Sequence, residues 1–308
     1  MLPGADFTIA CFRFHGEVTS PILLPVYKGS TFHGGFSKAL ARIGPRFREF
    51  FFSPTSPGKH TPSSDIPKPF MLIPPLEEKI RYQPGEPIEW GLMLYGEAIH
   101  HFMIAFAAFE TLGERLGLGR SQGKFKITHV ENLGVDAASP VFCDNTWCSL
   151  PPPVNASEIL SFFPEDDSQS VLLHFITRLR LKENNQLVRT PPVFSVLMDR
   201  LLGRIHSLST FYGTGPLVSR DHKTALCHLA STIHLDPART DAHWSEWERP
   251  AKSGRDAMSF GGLVGTAEYT GSLAPFLPWL NLGQWTGVGG KTSFGLGKYQ
   301  MEIKNGHS

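Results

Sequence analysis

Phe7-Thr8-Ile9-Ala10-Cys11-Phe12-Arg13-Phe14 and Thr31-Phe32-His33-Gly34-Gly35-Phe36-Ser37-Lys38-Ala39-Leu40-Ala41-Arg42-Ile43 decide the fold between them. The first alternates apolar and polar positions closely enough for a strand. The second changes period: Phe32, Phe36, Ala39, Leu40 and Ile43 share one helical face. Lys28-Gly29-Ser30 supplies the turn between them, with Ser30 as the expected helix N-cap. Working outward, Pro21–Val26 reads as extended and Ser53–Pro69 as a Pro-rich loop. Phe70–Ile73 is a short buried strand closed by Pro74-Pro75, and Ile88–Tyr95 is another strand. Ala98–Leu116 returns to helical spacing, with Ile99, Phe102, Met103, Phe106, Phe109 and Leu112 expected inward and Gly117 and Gly119 as its stop. Lys124–Val130 (KFKITHV) alternates cleanly. The order is β-α-β-β-α-β, the split-βαβ or ferredoxin-like unit.

A second unit of the same order fits the rest of the chain. Asp136–Ser157, with Pro151-Pro152-Pro153, reads as the start of a linker over 136–168. Val171–Leu181 then reads as a strand and Val193–Leu208 as an amphipathic helix. Ala225–Leu235 and Trp244–Arg249 are expected to be extended, followed by a strand at Ser259–Tyr269. An apolar helix at Leu273–Trp285 and a last strand at Ser293–Ile303 complete the set. The expected class is α+β: two tandem ferredoxin-like (RRM-like, βαββαβ) domains, at 1–135 and 169–308.

The totals describe a water-soluble globular chain. Of 308 residues, 41% are hydrophobic and 19% charged, ample for a real core. A net charge of +1 leaves the choice of partner to local patches. One such patch is residues 1–60, where seven Lys/Arg face three acids. No apolar run reaches the ~20 residues that span a bilayer. Cys11, Cys143, Cys148 and Cys227 match no paired zinc spacing, and the opening residues resemble no secretory signal. Reduced thiols in a cytoplasmic protein are expected, with no metal and no cofactor.

Near the end, Gly287-Val288-Gly289-Gly290-Lys291-Thr292-Ser293-Phe294-Gly295-Leu296-Gly297-Lys298-Tyr299 packs five glycines into thirteen residues. A loop of this kind exposes successive N–H groups and suits an anion, above all phosphate. A nucleoside-triphosphate P-loop would need Gly where Trp285 stands, and a dinucleotide loop would need Gly at Thr292. Both are excluded by spacing. A Gly-rich turn without any ligand is the plain alternative.

The flanks of this loop carry a resemblance. Gly261-Gly262-Leu263-Val264-Gly265 leads to Tyr269-Thr270-Gly271, then Leu273-Ala274-Pro275-Phe276-Leu277, and Gly283-Gln284-Trp285 enters the glycine loop. Tyr27-Lys28-Gly29-Ser30-Thr31-Phe32, Tyr82-Gln83-Pro84-Gly85 and Leu208-Ser209-Thr210-Phe211-Tyr212-Gly213 agree with it. The chain resembles the CRISPR-associated, precursor-crRNA-processing endoribonucleases of the RAMP superfamily. That resemblance implies two ferredoxin-like domains that bind CRISPR repeat RNA and cut it without metal. It also implies other CRISPR effector-complex subunits as partners. Some members bind RNA without cutting it, so a non-catalytic crRNA-binding subunit is the alternative. A small-molecule enzyme or regulatory module on the same fold is a second one.

Cleavage of this type uses the 2′-hydroxyl beside the scissile phosphate as nucleophile. Histidine suits the proton transfers and Lys or Arg the phosphorane charge. His33, at the first turn of a helix beside two glycines, is the preferred catalyst, expected to face outward. Lys38 and Tyr27 are its expected helpers, with His206 and His234 in reserve. Lys28, Lys38, Arg42 and Arg46 form an expected basic stripe for RNA, echoed by Arg200 and Arg204 in the second half. From the glycine loop, Gly287, Gly289, Gly290, Lys291, Thr292, Ser293, Gly295, Gly297 and Lys298 are the expected RNA contacts. Trp244, Trp247 and Trp285 could stack on bases, but their large apolar area favours packing.

Overall fold

The alternation from Phe7 continues past Phe14: strand β1 spans Thr8–Val18, with Phe12, Phe14 and Val18 turned inward. The computed structural model describes residues 5–55, 66–161, 170–249 and 258–304. The chain divides into two compact units, Thr8–Asn155 and Ala156–Ser308 joined by Met1–Phe7.

In the first unit, β1 lies between β3 (Pro87–Tyr95) and β4 (Phe125–Leu133), antiparallel to both, and β2 (Phe70–Ile73) edges β3. The order β2-β3-β1-β4 is that of a split βαβ sheet. Helices α1 (Gly29–Ile43) and α3 (Phe102–Glu110) bury their apolar sides against it. The joint is aromatic: Phe36 stacks on Phe109 at 4.8 Å and Phe12 on Phe102 at 3.9 Å. Helix α1 starts one residue before the expected cap; Lys28 holds the N-cap position without a side-chain capping bond to the helix, and Ser30 lies inside the helix. The helix expected over 98–116 is three pieces: a 3₁₀ turn at Gly96–His101, α3, and a π-turn at Thr111–Leu116. Most of the Pro-rich loop, 56–65, lies outside the described residues.

The linker expected over 136–168 is corrected by the sheet. Ala138–Cys143 (β5) pairs with β4, and Thr146–Trp147 (β6) pairs with β5. Val141 and Phe142 are buried core side chains. Pro140, which has no N–H to give, sits at the irregularity in the β4–β5 register. Asp144 and Asn145 both take positive φ (48° and 59°), the two-residue hairpin turn that this pair of residue types favours. Val154–Asn155 returns to pair with Thr8 and Ile9, so the first unit ends at 155. Residues 162–169 of the expected linker lie outside the described residues.

The second unit repeats the permutation. Strand β7 (Ser170–Leu179) lies between β9 (Gly262–Thr270) and β10 (Gln300–Lys304), and β8 (His234–Asp236) edges β9. Helices α4 (Phe194–Tyr212) and α6 (Leu277–Thr286) follow β7 and β9 as the fold requires. Two expectations differ. The segment expected to be extended from Ala225 is helix α5 (Arg220–Leu229), capped by Ser219, whose Oγ accepts from the His222 N–H. The last strand begins at Gln300 because the preceding residues are held in the glycine loop.

Candidate nucleic-acid interface

The geometry around His33 comes from a helix pair. Helix α2 (Pro45–Phe52) turns back after Gly44, so its Arg48–Phe52 row, spaced i,i+4, meets the His33–Ser37 row of α1. The Arg48 Nε–H donates to Ser37 Oγ at 3.1 Å, and the His33 ring sits edge-on to Phe52 at 4.9 Å. Phe70 lies 6.2 Å from the same imidazole. His33 is therefore half-buried against aromatic rings and does not point straight into water as expected.

The expected helpers are not gathered there. Lys38 is exposed, but five residues along a helix set it about 140° around the axis from His33. Tyr27 is buried. Lys28 is fully buried, its ammonium donating to the Val26 carbonyl at 3.2 Å and to the Glu77 carbonyl. Burial holds its pKa below the usual lysine value, against the pull of Glu77 and Glu78. It is a clip between two backbone segments and is removed from the basic stripe. Lys38 and Arg42 remain exposed and share a face of α1, while Arg46 stands on α2 with its guanidinium over Phe47 at 4.8 Å. Arg48 is the cation that the spacing argument missed. Only the helix reversal at Gly44 brings it to the His33 row.

In the second unit, the glycine loop proves to be folded onto protein. The Gly290 N–H donates to Arg180 O at 2.8 Å, Gly297 N–H to Arg178 O at 3.0 Å, and Val288 N–H to Gly297 O at 3.0 Å. Gly287, Gly289, Gly295 and Gly297 take positive φ, and so does Lys291. A Cβ on Gly297 would stand 1.9 Å from Val288 O, and one on Gly289 2.4 Å from Arg180 O. These glycines answer to close backbone contact within the unit. Gly287, Thr292, Ser293, Gly295 and Gly297 are buried, and Gly290 is the exposed tip. Lys291 Nζ donates to Ser259 O at 2.5 Å and lies 4.4 Å over the Phe260 ring; Lys298 Nζ donates to Gln284 O at 2.5 Å. Both lysines are thus anchored, which corrects the expectation of two side chains reaching outward to phosphate.

Beside the loop lies a basic face that the motif reading did not single out. Arg178 donates to Ser245 Oγ at 3.2 Å and Arg180 to Gly261 O at 2.6 Å. Exposed Arg189 covers the Trp244 ring at 4.7 Å. Trp247 packs edge-on to Phe260 at 5.3 Å. Of the expected pair on α4, Arg200 is exposed and bonded to Asp199 at 3.3 Å. Arg204 turns inward and donates from Nε to the Thr286 carbonyl at 2.7 Å, at the end of α6.

The helix-free face of the first sheet holds a further cluster. Register places Glu89, His15 and His129 in one cross-strand row, with Arg13 and Glu131 in the next. Glu131 reaches both imidazoles at 3.5 Å and the Arg13 guanidinium at 3.8 Å. Burial would raise the Glu131 pKa, but the bonds from His15 and His129 outweigh it and hold the carboxyl below its ordinary value. Among the described residues no group of three or more His, Cys, Asp or Glu is arranged to hold a metal ion, and no helix is long and apolar enough to cross a membrane.

The glycine loop and its flanks coincide with the decisive comparison. Residues 173–299 match the family model of the CRISPR-associated endoribonuclease Cas6. The match lies wholly within the second unit. Residues 7–153 match a separate model described as an N-terminal domain, which covers nearly all of the first unit. No curated protein matches the sequence. Among solved structures, a chain of a partial Cas6-RT-Cas1–Cas2 complex aligns with a TM-score of 0.64 at 14% identity, over 99% of this chain and 47% of that one. The present chain thus spans about half of that relative's length. Cas6 of Thermus thermophilus aligns with a TM-score of 0.59 at 17% identity, over 97% of this chain and 100% of that one. A Cas6 product complex gives 0.60 at 17%, over 96% and 99%. At these identities the likeness establishes the fold alone: tandem ferredoxin-like units.

Proposed function

We propose that this protein is an endoribonuclease that binds CRISPR repeat RNA and cuts precursor crRNA. The observation that carries the reading is the Cas6 match over 173–299, on a fold that aligns with Thermus thermophilus Cas6 along nearly its whole length. The cut is metal-independent: the 2′-oxygen loses its proton and attacks the adjacent phosphorus. The bond to the 5′-oxygen breaks, that oxygen takes up a proton, and a 2′,3′-cyclic phosphate remains. His33 carries the proton transfer and Arg48, which shares its helix-pair face, stabilises the phosphorane charge. Lys38, Arg42 and Arg46 hold backbone phosphates. In the second unit, the Arg178–Arg180–Arg189 face beside the glycine loop offers its own cations to phosphate, and the loop's part is to shape this face. Other CRISPR proteins are partners of the same assembly.

The test is cleavage of a repeat RNA by the purified chain in excess EDTA. A 2′,3′-cyclic end and resistance of a substrate with 2′-deoxyribose at the scissile nucleotide are expected. Cleavage of the deoxy substrate, or strict Mg²⁺ dependence, overturns the mechanism. His33→Ala is expected to abolish cleavage with RNA binding retained. Binding without cleavage by the unaltered chain would make it an RNA-holding subunit instead.

A further inference from the structure

A cleft of about 640 Å³ opens between α4 and α5, within the second unit. That volume lies inside the range of small-molecule sites, on the order of 300–1,000 Å³. None of the RNA-contact assignments above uses it. Gly203 leaves it room: Lys223 Nζ lies 3.3 Å from where a Cβ would stand. Lys223 continues to Asp199 at 2.9 Å, and Asp199 also meets Arg200 at 3.3 Å. Arg220 lines the same cleft from the first turn of α5 and is exposed. Two cations therefore share the Asp199 carboxylate while Arg220 stands in the same cleft, which leaves a local excess of positive charge.

His206 adds a directed group. Its Nδ1 lies 2.7 Å from the Val218 carbonyl, and a carbonyl only accepts, so Nδ1 carries the hydrogen. The opposite nitrogen, Nε2, is then the one left to bond a ligand in the cleft that His206 lines. Cys227, on the wall, has its thiol pushed up in pKa by burial, then by Asp199, and partly restored by Lys223. It stays a neutral thiol, which argues against a soft-metal or thiolate role. The hydroxyl of Ser207 donates to Gly203 O at 3.0 Å and offers the cleft only lone pairs.

We infer that this cleft binds a phosphate-bearing ligand of mononucleotide size, with Arg220 and Lys223 on the phosphate and His206 Nε2 on a ligand hydroxyl or phosphate oxygen. The same chemistry is presented by a free nucleotide and by the phosphorylated end of an RNA strand. The site is independent of the cleavage reading, because it asks only for binding.

The test is calorimetric titration of the full chain with inorganic phosphate, 5′-AMP, and a ten-nucleotide RNA bearing or lacking a 3′-phosphate. Saturable one-site binding is expected for 5′-AMP if the source is a free nucleotide, or for the 3′-phosphorylated RNA alone if it is a strand end. Arg220→Gln and Lys223→Gln are each expected to weaken it by about tenfold. Asp199→Asn is expected to tighten it about threefold, because it releases two cations from a competing carboxylate. No saturable binding of any phosphate probe overturns the inference. So does binding that is unchanged in the Arg220→Gln/Lys223→Gln double variant, or weakened by Asp199→Asn, since a purely structural cluster would lose by that change. Circular dichroism and a thermal melt of each variant separate lost binding from lost fold.

Discussion

Both units thread the order β-α-β-β-α-β through the same strand permutation, yet they hold themselves together differently. The first joins helices to sheet through rings: Phe12, Phe14, Phe36, Trp90, Phe102 and Phe109 are all buried and in ring contact. The second packs Leu197, Leu201, Leu202 and Ile205 from one helix and closes its end with backbone, where glycines let carbonyls and N–H groups come within bonding distance. One topology thus tolerates two kinds of closure. The aromatic one leaves Lys38, Arg42, Arg46 and Arg48 exposed on α1 and α2. The backbone one makes a rigid shape whose chemistry lies in its neighbours.

The contrast can be broken at either end. Phe36→Ala removes the ring stacked on Phe109 and edged by Phe51 and Phe70, and should cost the first unit about 3–5 kcal/mol in a urea melt. Gly297→Ala sets a methyl against Val288 O at a φ of 78° and should cost the second unit about 2–3 kcal/mol. A melt of Gly297→Ala that matches the unaltered chain would show that the loop is not closed on itself. Smaller in energy but sharper for the site, Arg48→Ala should lower the single-turnover cleavage rate about tenfold, while Lys38→Ala mainly weakens RNA binding. Equal effects on the rate would return Lys38 to the site. The smallest effect concerns Glu131. Its folded pKa lies below the ordinary 4.5, so the stability it contributes is complete above the unfolded value and is lost as pH falls through the folded one. Glu131→Gln should therefore melt lower than the unaltered chain near pH 7, with the gap closing below about pH 4.5.

The strands and main helices were legible because each has a buried face that repeats at the period of its own backbone. Phe32, Phe36 and Leu40 mark α1, and Leu173, Phe175 and Leu179 mark β7. Helix α5 was not, since it is ten residues long, mostly polar, and buries Leu226 alone; the Ser219 cap marks its start. The strand β5 hid behind a proline that the sheet accommodates at an irregular register position. At the site, His33 was visible as a helix histidine, but its aromatic neighbours Phe52 and Phe70 come from other elements. Lys28 looked like a phosphate ligand because nothing local reveals that its partner is a carbonyl forty-nine residues away. The glycine loop was read as a ligand cradle for the same reason: its acceptors, Arg178 O and Arg180 O, are distant in sequence.

That distance has a kinetic consequence. The Lys298 N–H meets Thr177 Oγ1 across 121 residues, and the Gly297 and Gly290 N–H groups go to Arg178 O and Arg180 O at the end of the same strand. A loop that reads as a local motif is thus closed late, after the chain entropy of a very long segment has been overcome. Until β10 docks beside β7, the loop's glycines have no Arg178 and Arg180 carbonyls to close on, and the basic face beside them has no fixed shape.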